Sequence, residues 1–405
     1  MSEVKIEKLD NQGRGICFLN NRITFVENAL PEEVVKISLT KENKKYNEAI
    51  VEEYITKSQK RVESPCPYST ICGGCHLLNL SYEDTLNYKK SKLTEILKKY
   101  AGINREVEII PSPNKLAYRN KITLKIINGK FGYYETSTHK LVEINNCLLA
   151  EPAIESFFKD LKYLNLKNGE LVLRSNYNGE LLIWIKTEEE SNPDIAYLKS
   201  HHKIAGIILN NKAITGDSHF IEVINKQFFT VSYNSFFQIN RGICSKIFNL
   251  INEDITESDT ILDLYCGVGT LGINASKNAK KVYGIEIVKN AVLNAISNAK
   301  INKKQNMNYL LGDVGTCLPK IKDRVDTIIV DPPRAGLDTK TKETIIKFKP
   351  SKIIYVSCDP MTLARDLKEL KEHYKVKVLK GLDMFPFTHH IESFCVLEKY
   401  NNETE

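Results

Sequence analysis

The chain has 405 residues, of which 42% are hydrophobic and 26% are charged. This length predicts two or three domains with buried cores. No stretch reaches the roughly 18 apolar residues of a membrane span, and the charged N-terminus is unlike a signal peptide. We therefore expect a cytoplasmic protein without a membrane partner, in which the ten cysteines form no structural disulfides.

The net charge of +7 is mildly basic and indicates a polyanionic partner only weakly. Basic side chains crowd one short region: Lys89, Lys90, Lys92, Lys98, Lys99, Arg105, Lys115, Arg119, Lys121 and Lys125. This cluster fits either contact with a polyanion or the solvated faces of helices.

Residues 1–58 contain five short strand patterns, VKIEKL, GICFLN, RITFVE, EVVKISLT and YNEAIVEEYI, separated by turn residues. So many strands in so short a segment predict a small OB-like barrel. Barrels of this kind often bind nucleic acid. The charges of the segment are balanced, so charge does not require that function.

Residues 59–235 form a predicted central β-rich domain. Its first part, 59–80, is rich in Pro, Gly and Cys and has little periodicity. A helix near 83–100 follows, and its apolar face needs a partner, which we expect to be the C-terminal domain. Strand patterns from KITLKII to FIEVI complete the central domain.

Residues 236–405 alternate compact apolar strands, such as TILDLYC, KVYGIEI and KIIYVSC, with amphipathic stretches such as NAVLNAISNAKIN. This alternation predicts a Rossmann-like, doubly wound α/β domain. The predicted fold class is therefore α/β with all-β additions: an N-terminal OB-like barrel, a central β-rich domain and a C-terminal Rossmann-like domain.

A glycine-rich turn, Gly267-x-Gly269-Thr270, joins the first strand of this last domain to a helix. Glycines at a strand end let a ligand approach the backbone closely. The next strand ends at Glu286, whose carboxylate suits a pair of ribose hydroxyls, and Asp313 follows the third strand, where it can meet an adenine edge. This spacing fits S-adenosylmethionine as well as NAD.

The fourth strand ends in Asp331-Pro332-Pro333-Arg334, which favours S-adenosylmethionine. An acidic or amide residue before two prolines is common at this point in methyltransferases that act on bases, because the prolines stiffen the loop beside the methyl donor. Enzymes that methylate exocyclic amines usually carry an aromatic residue where Arg334 stands. The motif therefore argues against that chemistry, and a plain loop between strand and helix is the alternative.

Cys358 closes the fifth strand, at the edge where an open α/β sheet binds its ligands. Carbon 5 of a pyrimidine becomes nucleophilic when a thiolate adds to carbon 6, and a base must then remove the proton of carbon 5. We expect the helix that follows Cys358 to favour its thiolate. The alternative is a cysteine that belongs to the core.

Glu392 is the candidate for the base, although a solvated carboxylate is the more common explanation of any single Glu. The adjacent His389 and His390 could suggest a metal site. However, no neighbouring Cys, His or Asp completes a spacing typical of zinc ligands.

Taken together, these residues resemble the RNA uracil-5 methyltransferases. DPPRAG and the later IIYVSCDPMT resemble the nucleophile signature of that family, and LDMFPFTHHIE resembles its general-base signature. The resemblance covers essentially the whole chain and implies Cys358 as nucleophile and Glu392 as proton acceptor. It also implies a methyl-donor pocket formed by Gln238, Tyr265, Glu286 and Asp331. Of these, Gln238 and Asp331 are implied to face the target uracil as well. The chain departs from the family pattern at Phe387, Asp359 and Thr270, and none of these removes a group that the chemistry needs.

The resemblance has two further implications. The N-terminal barrel resembles the TRAM domain, an RNA-binding module, and four cysteines resemble a 4Fe–4S site: Cys66, Cys72, Cys75 and Cys147. Zinc bound by the same four cysteines is the alternative.

The implied substrate is RNA, and no stable protein partner is implied. A barrel together with a cluster resembles members that act on 23S ribosomal RNA, whereas bacterial members that act on transfer RNA commonly lack both; transfer RNA is the alternative target. Competing functions are methylation of carbon 5 of cytosine, a non-catalytic RNA-binding or ribosome-assembly factor, and an iron–sulfur redox protein. The intact Cys358, Glu392 and glycine-rich turn favour the uracil-5 methyltransferase.

Overall fold

A six-stranded sheet forms the N-terminal part of the computed structural model, which describes residues 2–136 and 138–400. Its strands are β1 (Ser2–Lys5), β2 (Lys8–Leu9), β3 (Gly15–Leu19), β4 (Arg22–Glu27), β5 (Val34–Glu42) and β6 (Tyr46–Thr56). They lie in the order β1-β5-β6-β4-β3-β2, and only β4 and β6 run parallel. Closure of this sheet into an OB-like barrel stays a prediction.

The pattern VKIEKL, expected as one strand, divides into β1 and β2. The Ile6 N–H donates to Glu33 O at 2.9 Å, and the Glu7 N–H donates to Ile16 O at 2.9 Å. The backbone therefore crosses from one end of the strand order to the other within two residues, and Ile6 is buried at the crossing.

A helix and a short strand follow the cysteine-containing segment: α1 (Tyr82–Ile96), which continues as a π-helical turn (Leu97–Ala101), and β7 (Glu108–Ile110). The Ser81 side chain caps α1 by accepting the Asp84 N–H at 3.1 Å. Gly102 ends the π-helical turn in the left-handed region, with φ of 65°.

Seven strands form the central sheet. Its elements are β8 (Lys121–Ile127), β9 (Lys130–Tyr134), β10 (Leu141–Glu143), α2 (Pro152–Phe157), a 3-10 helix (Phe158–Leu164), β11 (Gly169–Ser175), β12 (Leu181–Lys186), α3 (Ile195–His201), β13 (Ile204–Leu209) and β14 (Lys212–Gly216). The strand order is β10-β9-β8-β11-β12-β13-β14, with β12 and β13 parallel. Ile154, Phe157 and Leu161 from the helices share a core with Leu171 and Leu173 of the sheet.

The C-terminal part contains a hairpin and an eight-stranded sheet with helices. Its elements are β15 (His219–Ile224), β16 (Gln227–Ser232), α4 (Arg241–Glu253), β17 (Thr260–Leu264), α5 (Thr270–Ala275), β18 (Lys281–Glu286), α6 (Lys289–Ile301), β19 (Met307–Leu311), α7 (Val314–Cys317), a 3-10 helix (Leu318–Lys320), β20 (Thr327–Val330), α8 (Thr339–Phe348), β21 (Lys352–Ser357), α9 (Pro360–Leu370), β22 (Tyr374–Leu382) and β23 (Glu392–Lys399).

The large sheet has the strand order β19-β18-β17-β20-β21-β23-β22-β7. The strands from β19 to β21 run parallel, and β23 is antiparallel to both of its neighbours. Every residue of β17 and β20 is buried, which is why these strands are continuous apolar runs. The predicted doubly wound α/β architecture of the C-terminal domain is confirmed.

The segment 82–110 lies against the C-terminal domain, where the helix near 83–100 is expected to pack, although the predicted division counts its residues in the central domain. β7 pairs with β22 in parallel, and the apolar face of α1 shares a core with α9. Leu93 and Leu97 are both fully buried there, because an amphipathic helix needs an apolar surface to cover. The division of the chain at residues 58 and 235 otherwise stays a prediction.

Within residues 2–136 and 138–400, none of the helices is both long enough and apolar enough to cross a bilayer.

Candidate active site

A cleft of about 440 Å³ opens at the carboxyl ends of β17, β20 and β21. From β17 the successive strands β18 and β19 are added on one side, whereas β20 and β21 are added on the other. Open α/β sheets bind their ligands at such a change of direction, which here lies between β17 and β20. The cleft is lined by Phe236, Phe237, Gln238, Asp263, Tyr265, Cys266, Gly267, Val268, Thr270, Leu271, Asp331, Pro332, Pro333, Arg334, Cys358, Phe385 and Glu392. The wall thus contains both predicted catalytic residues and five of the eight predicted cofactor residues.

Two antiparallel strands bring Cys358 and Glu392 to the same end of the sheet. β21 pairs with β23 so that Ser357 lies opposite Ser393. Cys358 directly follows the last residue of β21, and Glu392 precedes Ser393 as the first residue of β23. Cys358 is half-buried, whereas Glu392 is only 2% exposed.

The surroundings of Cys358 raise the pKa of its thiol to about 11. Burial is the main cause, and the negative charges of Glu392 and Asp331 add to it. Arg334 lowers the pKa but does not offset the other contributions. The thiol is therefore protonated at neutral pH in the free cleft.

The expected preference of Cys358 for the thiolate form is thus wrong for the free protein. A helix N-terminus favours an anion only when its N–H groups are available. Here the carboxylate of Asp359 caps α9 and accepts the Thr362 N–H at 2.8 Å. A negative charge already occupies the N-terminus of α9, and it raises the pKa of Cys358 further.

Asp331 and Glu392 form a pair of acidic groups in the cleft. Burial raises the pKa of both carboxyls, and the charge of Asp331 raises the pKa of Glu392 further. Two neighbouring carboxyls do not readily ionise together, so the pair favours keeping one proton. A raised pKa also makes the Glu392 carboxylate a stronger base than an ordinary glutamate.

The glycine-rich turn forms the floor of the cleft beside these carboxyls. Gly267 and Gly269 have φ of 54° and 84°, in the left-handed region that favours glycine. A side chain at Gly269 would also meet the Tyr309 hydroxyl at 2.7 Å, whereas Gly267 faces open space. The Gly267 N–H donates to Glu286 Oε2 at 3.0 Å, which fixes the turn against the end of β18.

Asp263 lies beneath this turn at the end of β17. Its Oδ2 accepts the Gly272 N–H at 2.8 Å, while its Oδ1 is buried without a partner among the described residues. Burial raises the pKa of this carboxyl to about 8. An unpartnered buried polar atom on the wall of a cleft is a place where a ligand can bind.

Gly269, Glu286 and Asp313 do not line the cleft themselves. Glu286 binds two backbone N–H groups, those of Gly267 and Val288, and thereby shapes the turn. Asp313 is exposed before α7, and its carboxylate lies 3.9 Å from Lys340 Nζ. The predicted roles of these three residues stay predictions.

The loop that carries Gln238 is held by side chains of the central sheet. Asn120 Nδ2 donates to Gln238 O at 3.0 Å. Arg174 donates to Ser232 O at 3.2 Å and to Ser235 O at 3.0 Å. Because Arg174 is only 3% exposed, these contacts fix the loop at the rim of the cleft.

Comparison with known proteins identifies the family. Residues 195–311 and 320–400 match the family described as tRNA (Uracil-5-)-methyltransferase, and residues 2–51 match the TRAM domain. An uncharacterized RNA methyltransferase of Clostridium tetani is 31% identical, over 98% of this chain and 96% of its own length. Another, from Listeria innocua, is 33% identical over 98% and 97%. This chain belongs to the uracil-5 methyltransferase family.

A solved structure shares the whole architecture of this uracil-5 methyltransferase. It is the Pyrococcus abyssi tRNA (uracil-54, C5)-methyltransferase in complex with S-adenosyl-L-homocysteine. The two chains are 27% identical and superpose with a TM-score of 0.80, over 98% of this chain and 100% of the other. The resemblance seen in the sequence motifs and the predicted TRAM domain are thereby confirmed.

The four predicted cluster cysteines of this uracil-5 methyltransferase line one cavity, here called the cysteine cavity. Its wall consists of Cys66, Tyr68, Cys72, Gly74, Cys75, Leu78, Arg119, Tyr133, Ile144, Asn146, Cys147, Leu148 and Leu149. Burial raises the pKa of the Cys75 thiol to about 12, although the Arg119 guanidinium acts to lower it. Among residues 2–136 and 138–400, no three Cys, His, Asp or Glu side chains are arranged as ligands of a single metal ion.

Sequence reasoning missed Phe236, which lies on the wall of the cleft and is 74% exposed. Its proximity to Gln238 in the motif FFQIN was the available signal. It also missed His76, whose ring lies 4.3 Å from that of His389, which in turn lies 4.1 Å from His390. Burial lowers the pKa of all three imidazoles, so they are neutral at pH 7.

Neither interpretation of the basic cluster in the sequence anticipates Lys89. This lysine is fully buried, and its Nζ donates to Asp383 Oδ1 at 2.5 Å and to Phe385 O at 2.9 Å. Its position in the helical pattern, three residues after Leu86 and four before Leu93, was the available signal. A lysine on the apolar face of a helix needs a buried partner.

Proposed function

We propose that this enzyme transfers a methyl group from S-adenosylmethionine to carbon 5 of a uridine in RNA through a covalent adduct with Cys358. The observation that carries the proposal is the meeting of a thiol, a buried carboxyl and a glycine-rich turn in one cleft. Family membership supports the reaction. The chemistry needs a nucleophile and a separate base within reach of one carbon–carbon bond.

The glycine-rich turn and its neighbours fit S-adenosylmethionine, which supplies an electrophilic methyl group. Gly267 faces open space, so the adenosine can lie against the backbone. Asp263 Oδ1 offers an unpartnered acceptor, and Glu286 already faces the turn through its bond to Gly267 N–H. Tyr265, Thr270 and the predicted adenine contact Asp313 complete the proposed donor pocket.

The reaction begins at Cys358. The thiolate sulfur attacks carbon 6, a sulfur–carbon bond forms, and the electron pair of the carbon 5–carbon 6 double bond moves toward carbon 5 and the adjacent carbonyl. Carbon 5 then forms a bond to the methyl group, whose bond to the sulfonium sulfur breaks, and S-adenosylhomocysteine is left. Because the free thiol has a raised pKa, substrate binding must favour its ionisation, and Arg334 is the positive group already acting in that direction.

Glu392 completes the reaction. Its carboxylate takes the proton from carbon 5, the double bond re-forms, and the sulfur leaves carbon 6 as the thiolate. The net reaction releases that one proton. The raised pKa of Glu392 suits a group that must accept a proton from carbon.

The target uracil has three further contacts in this proposal. Gln238 and Asp331 offer an amide and a carboxyl to its polar edge, since both line the cleft next to Cys358. Phe236 offers an exposed ring on which an unstacked base can lie. A base has to leave its stack to reach a half-buried thiol.

We propose 23S ribosomal RNA as the target, and transfer RNA is the second candidate. Ribosomal RNA is proposed because a TRAM domain is combined with a predicted cluster. Transfer RNA is favoured by the Pyrococcus abyssi enzyme, which is described as acting on transfer RNA and has the same architecture. The TRAM domain, as a proposed OB-like RNA-binding barrel, is compatible with either.

We also propose that Cys66, Cys72, Cys75 and Cys147 hold a 4Fe–4S cluster. The four thiols line the cysteine cavity together with a half-buried cation, Arg119, which suits the negative charge of four thiolates. Zinc bound by the same four cysteines is the alternative. The methyl transfer needs no electron, so the role of the cluster is structural.

One experiment tests the reaction and the target together. Transcripts of 23S ribosomal RNA and of transfer RNA are incubated with the enzyme and radiolabelled S-adenosylmethionine, and the methylated nucleoside is mapped. We expect 5-methyluridine in one of the two RNAs. A matched transcript containing 5-fluorouridine should trap the enzyme on a denaturing gel, because fluorine cannot leave as a proton does. Label in 5-methylcytidine, or no label in either RNA, would contradict the proposal.

A further inference from the structure

The loop from Asp383 to Ile391 carries the base of the reaction, because Glu392 is the first residue of β23 and follows it directly. The loop has almost no regular structure of its own. Phe387, within it, has φ of 59°, an uncommon conformation for a non-glycine residue. The position of Glu392 therefore depends on what holds this base-carrying loop.

Donors from outside the loop bind its carbonyl groups one after another. Asn240 Nδ2 donates to Met384 O at 3.2 Å, and the Tyr118 hydroxyl donates to Pro386 O at 3.2 Å. Phe387 O accepts two backbone N–H groups, those of His76 and Leu77, both at 3.1 Å. These contacts are all with neutral donors.

Two lysines of α1 provide the charged contacts. Lys89 and Lys92 lie three residues apart, so they project from the same face of the helix. Lys89 donates to Phe385 O and forms an ion pair with Asp383. Lys92 Nζ donates to His389 O at 2.7 Å, three residues before Glu392.

The two lysines differ in what their removal would leave behind. Lys89 and Asp383 are both fully buried, so loss of Lys89 leaves an uncompensated buried charge and threatens the fold. Lys92 has no acidic partner among the described residues: its Nζ donates to two carbonyl groups and lies 6.0 Å from the centroid of the Tyr88 ring. Its contacts therefore hold backbone segments in place.

The second acceptor of Lys92 lies in the N-terminal domain. Lys92 Nζ donates to Asn11 O at 2.6 Å, and the Tyr88 hydroxyl donates to Asp10 O at 2.8 Å. Within this turn Asp10 forms an ion pair with Arg14 at 2.8 Å and accepts the N–H groups of Gln12 and Arg14. One ammonium group thus joins the TRAM domain to the base-carrying loop.

We propose that Lys92 is a positioning residue for Glu392, and that through it the seating of the TRAM domain is linked to the removal of the proton from carbon 5. This inference rests on the proposed function. Glu392 acts only after methyl transfer, so loosening its loop slows the release of the product. The attack by Cys358 and the methyl transfer do not depend on this contact.

The test compares Lys92→Met with Lys90→Met. Lys90 lies on the same helix but forms an exposed ion pair with Glu106, so it serves as the matched control. For Lys92→Met we expect a normal rate of methyl transfer in a single turnover. Steady-state turnover should fall about tenfold, because a displaced base works poorly, and a denaturant-stable adduct with methylated RNA should accumulate. Lys92→Arg retains a cation that can donate to both carbonyls and should restore turnover.

Tyr88→Phe provides a second test that keeps Lys92 in place. It removes the other contact between α1 and the same turn, and the adduct should accumulate to a smaller extent. The inference is overturned if Lys92→Met turns over like the wild type, if it loses methyl transfer and release by the same factor, or if neither variant accumulates adduct. If the wild-type enzyme methylates no uridine, the proposed function fails first, and this inference fails with it.

Discussion

Cys358 and Cys75 are both partly sheltered from solvent, yet the charged side chain with the largest effect on the thiol has the opposite sign at the two places. Glu392 and Asp331 surround Cys358, and their negative charges raise the pKa of its thiol. Arg119 lies beside Cys75, and its positive charge lowers the pKa of that thiol. Burial raises the pKa at both places.

This difference separates a reacting thiol from thiols suited to be permanent ligands. A buried cation stabilises thiolates that remain anionic, as the ligands of a cluster must. Beside Cys358 the positive charge of Arg334 acts in the same direction, but burial and the two carboxyls outweigh it. One of those carboxyls, Glu392, is the proposed base.

The largest expected effect follows from removing the reacting thiol. Cys358→Ala abolishes the attack on carbon 6, so methylation should fall about 10⁴-fold or more. Incorporation of radiolabelled methyl groups into RNA measures the change. Cys395→Ala is the matched control, because Cys395 lies on β23 opposite Tyr355 and outside the wall of the cleft. Normal turnover or a denaturant-stable adduct with Cys358→Ala would refute the nucleophilic role.

Replacing the base should separate methyl transfer from release. Glu392→Gln has no group that can accept the carbon 5 proton, so turnover should fall about 10²- to 10⁴-fold. One round of methyl transfer should still occur, and enzyme and methylated RNA should migrate together on a denaturing gel. Free methylated RNA in amounts exceeding the enzyme would show that another group acts as the base.

The pH dependence of alkylation distinguishes the surroundings of Cys358 from those of an ordinary thiol. Because its pKa is raised to about 11, raising the pH from 7 increases the thiolate fraction by roughly tenfold per pH unit until the pKa is approached. Iodoacetamide labelling of Cys358, followed by peptide mass spectrometry, should show this slope. A plateau already near pH 8 would mean that the thiol is not perturbed as described.

The smallest effect on turnover is expected at the cysteine cavity. Cys75→Ala removes one proposed cluster ligand, so iron and sulfide should be lost while turnover falls only a few-fold, since methyl transfer needs no electron. Anaerobically purified wild type should contain about four iron atoms per chain, and Cys17→Ala, in the N-terminal core, should retain them. Equimolar zinc without iron in the wild type would rule out the cluster.

Much of the cleft was predictable because its residues end consecutive strands of one sheet. Asp331 and Cys358 follow β20 and β21, and the carboxyl ends of parallel strands meet at one edge. The glycine-rich turn was predictable for the same reason. Phe236 was not, because no periodicity distinguishes an exposed ring at a cleft from any other loop residue.

The ionisation of Cys358 could not be predicted from its position after a strand. Sequence position placed it before a helix, which by itself favours a thiolate. The opposite result depends on Asp359 capping that helix and on Glu392 arriving from a strand that runs the other way. Electrostatic effects depend on distances through space, and residues distant in sequence contribute most of them.

The family, the order of strands and helices in the C-terminal domain, and the candidates for nucleophile and base all follow from the sequence, because local patterns and motifs encode them. The pairing of β7 with β22, and the contacts by which Lys89 and Lys92 hold the base-carrying loop, appear only in the folded chain. A lysine in a helix looks the same in sequence whether it faces water or a carboxylate 294 residues away. Burial and long-range pairing exist only once the chain has folded.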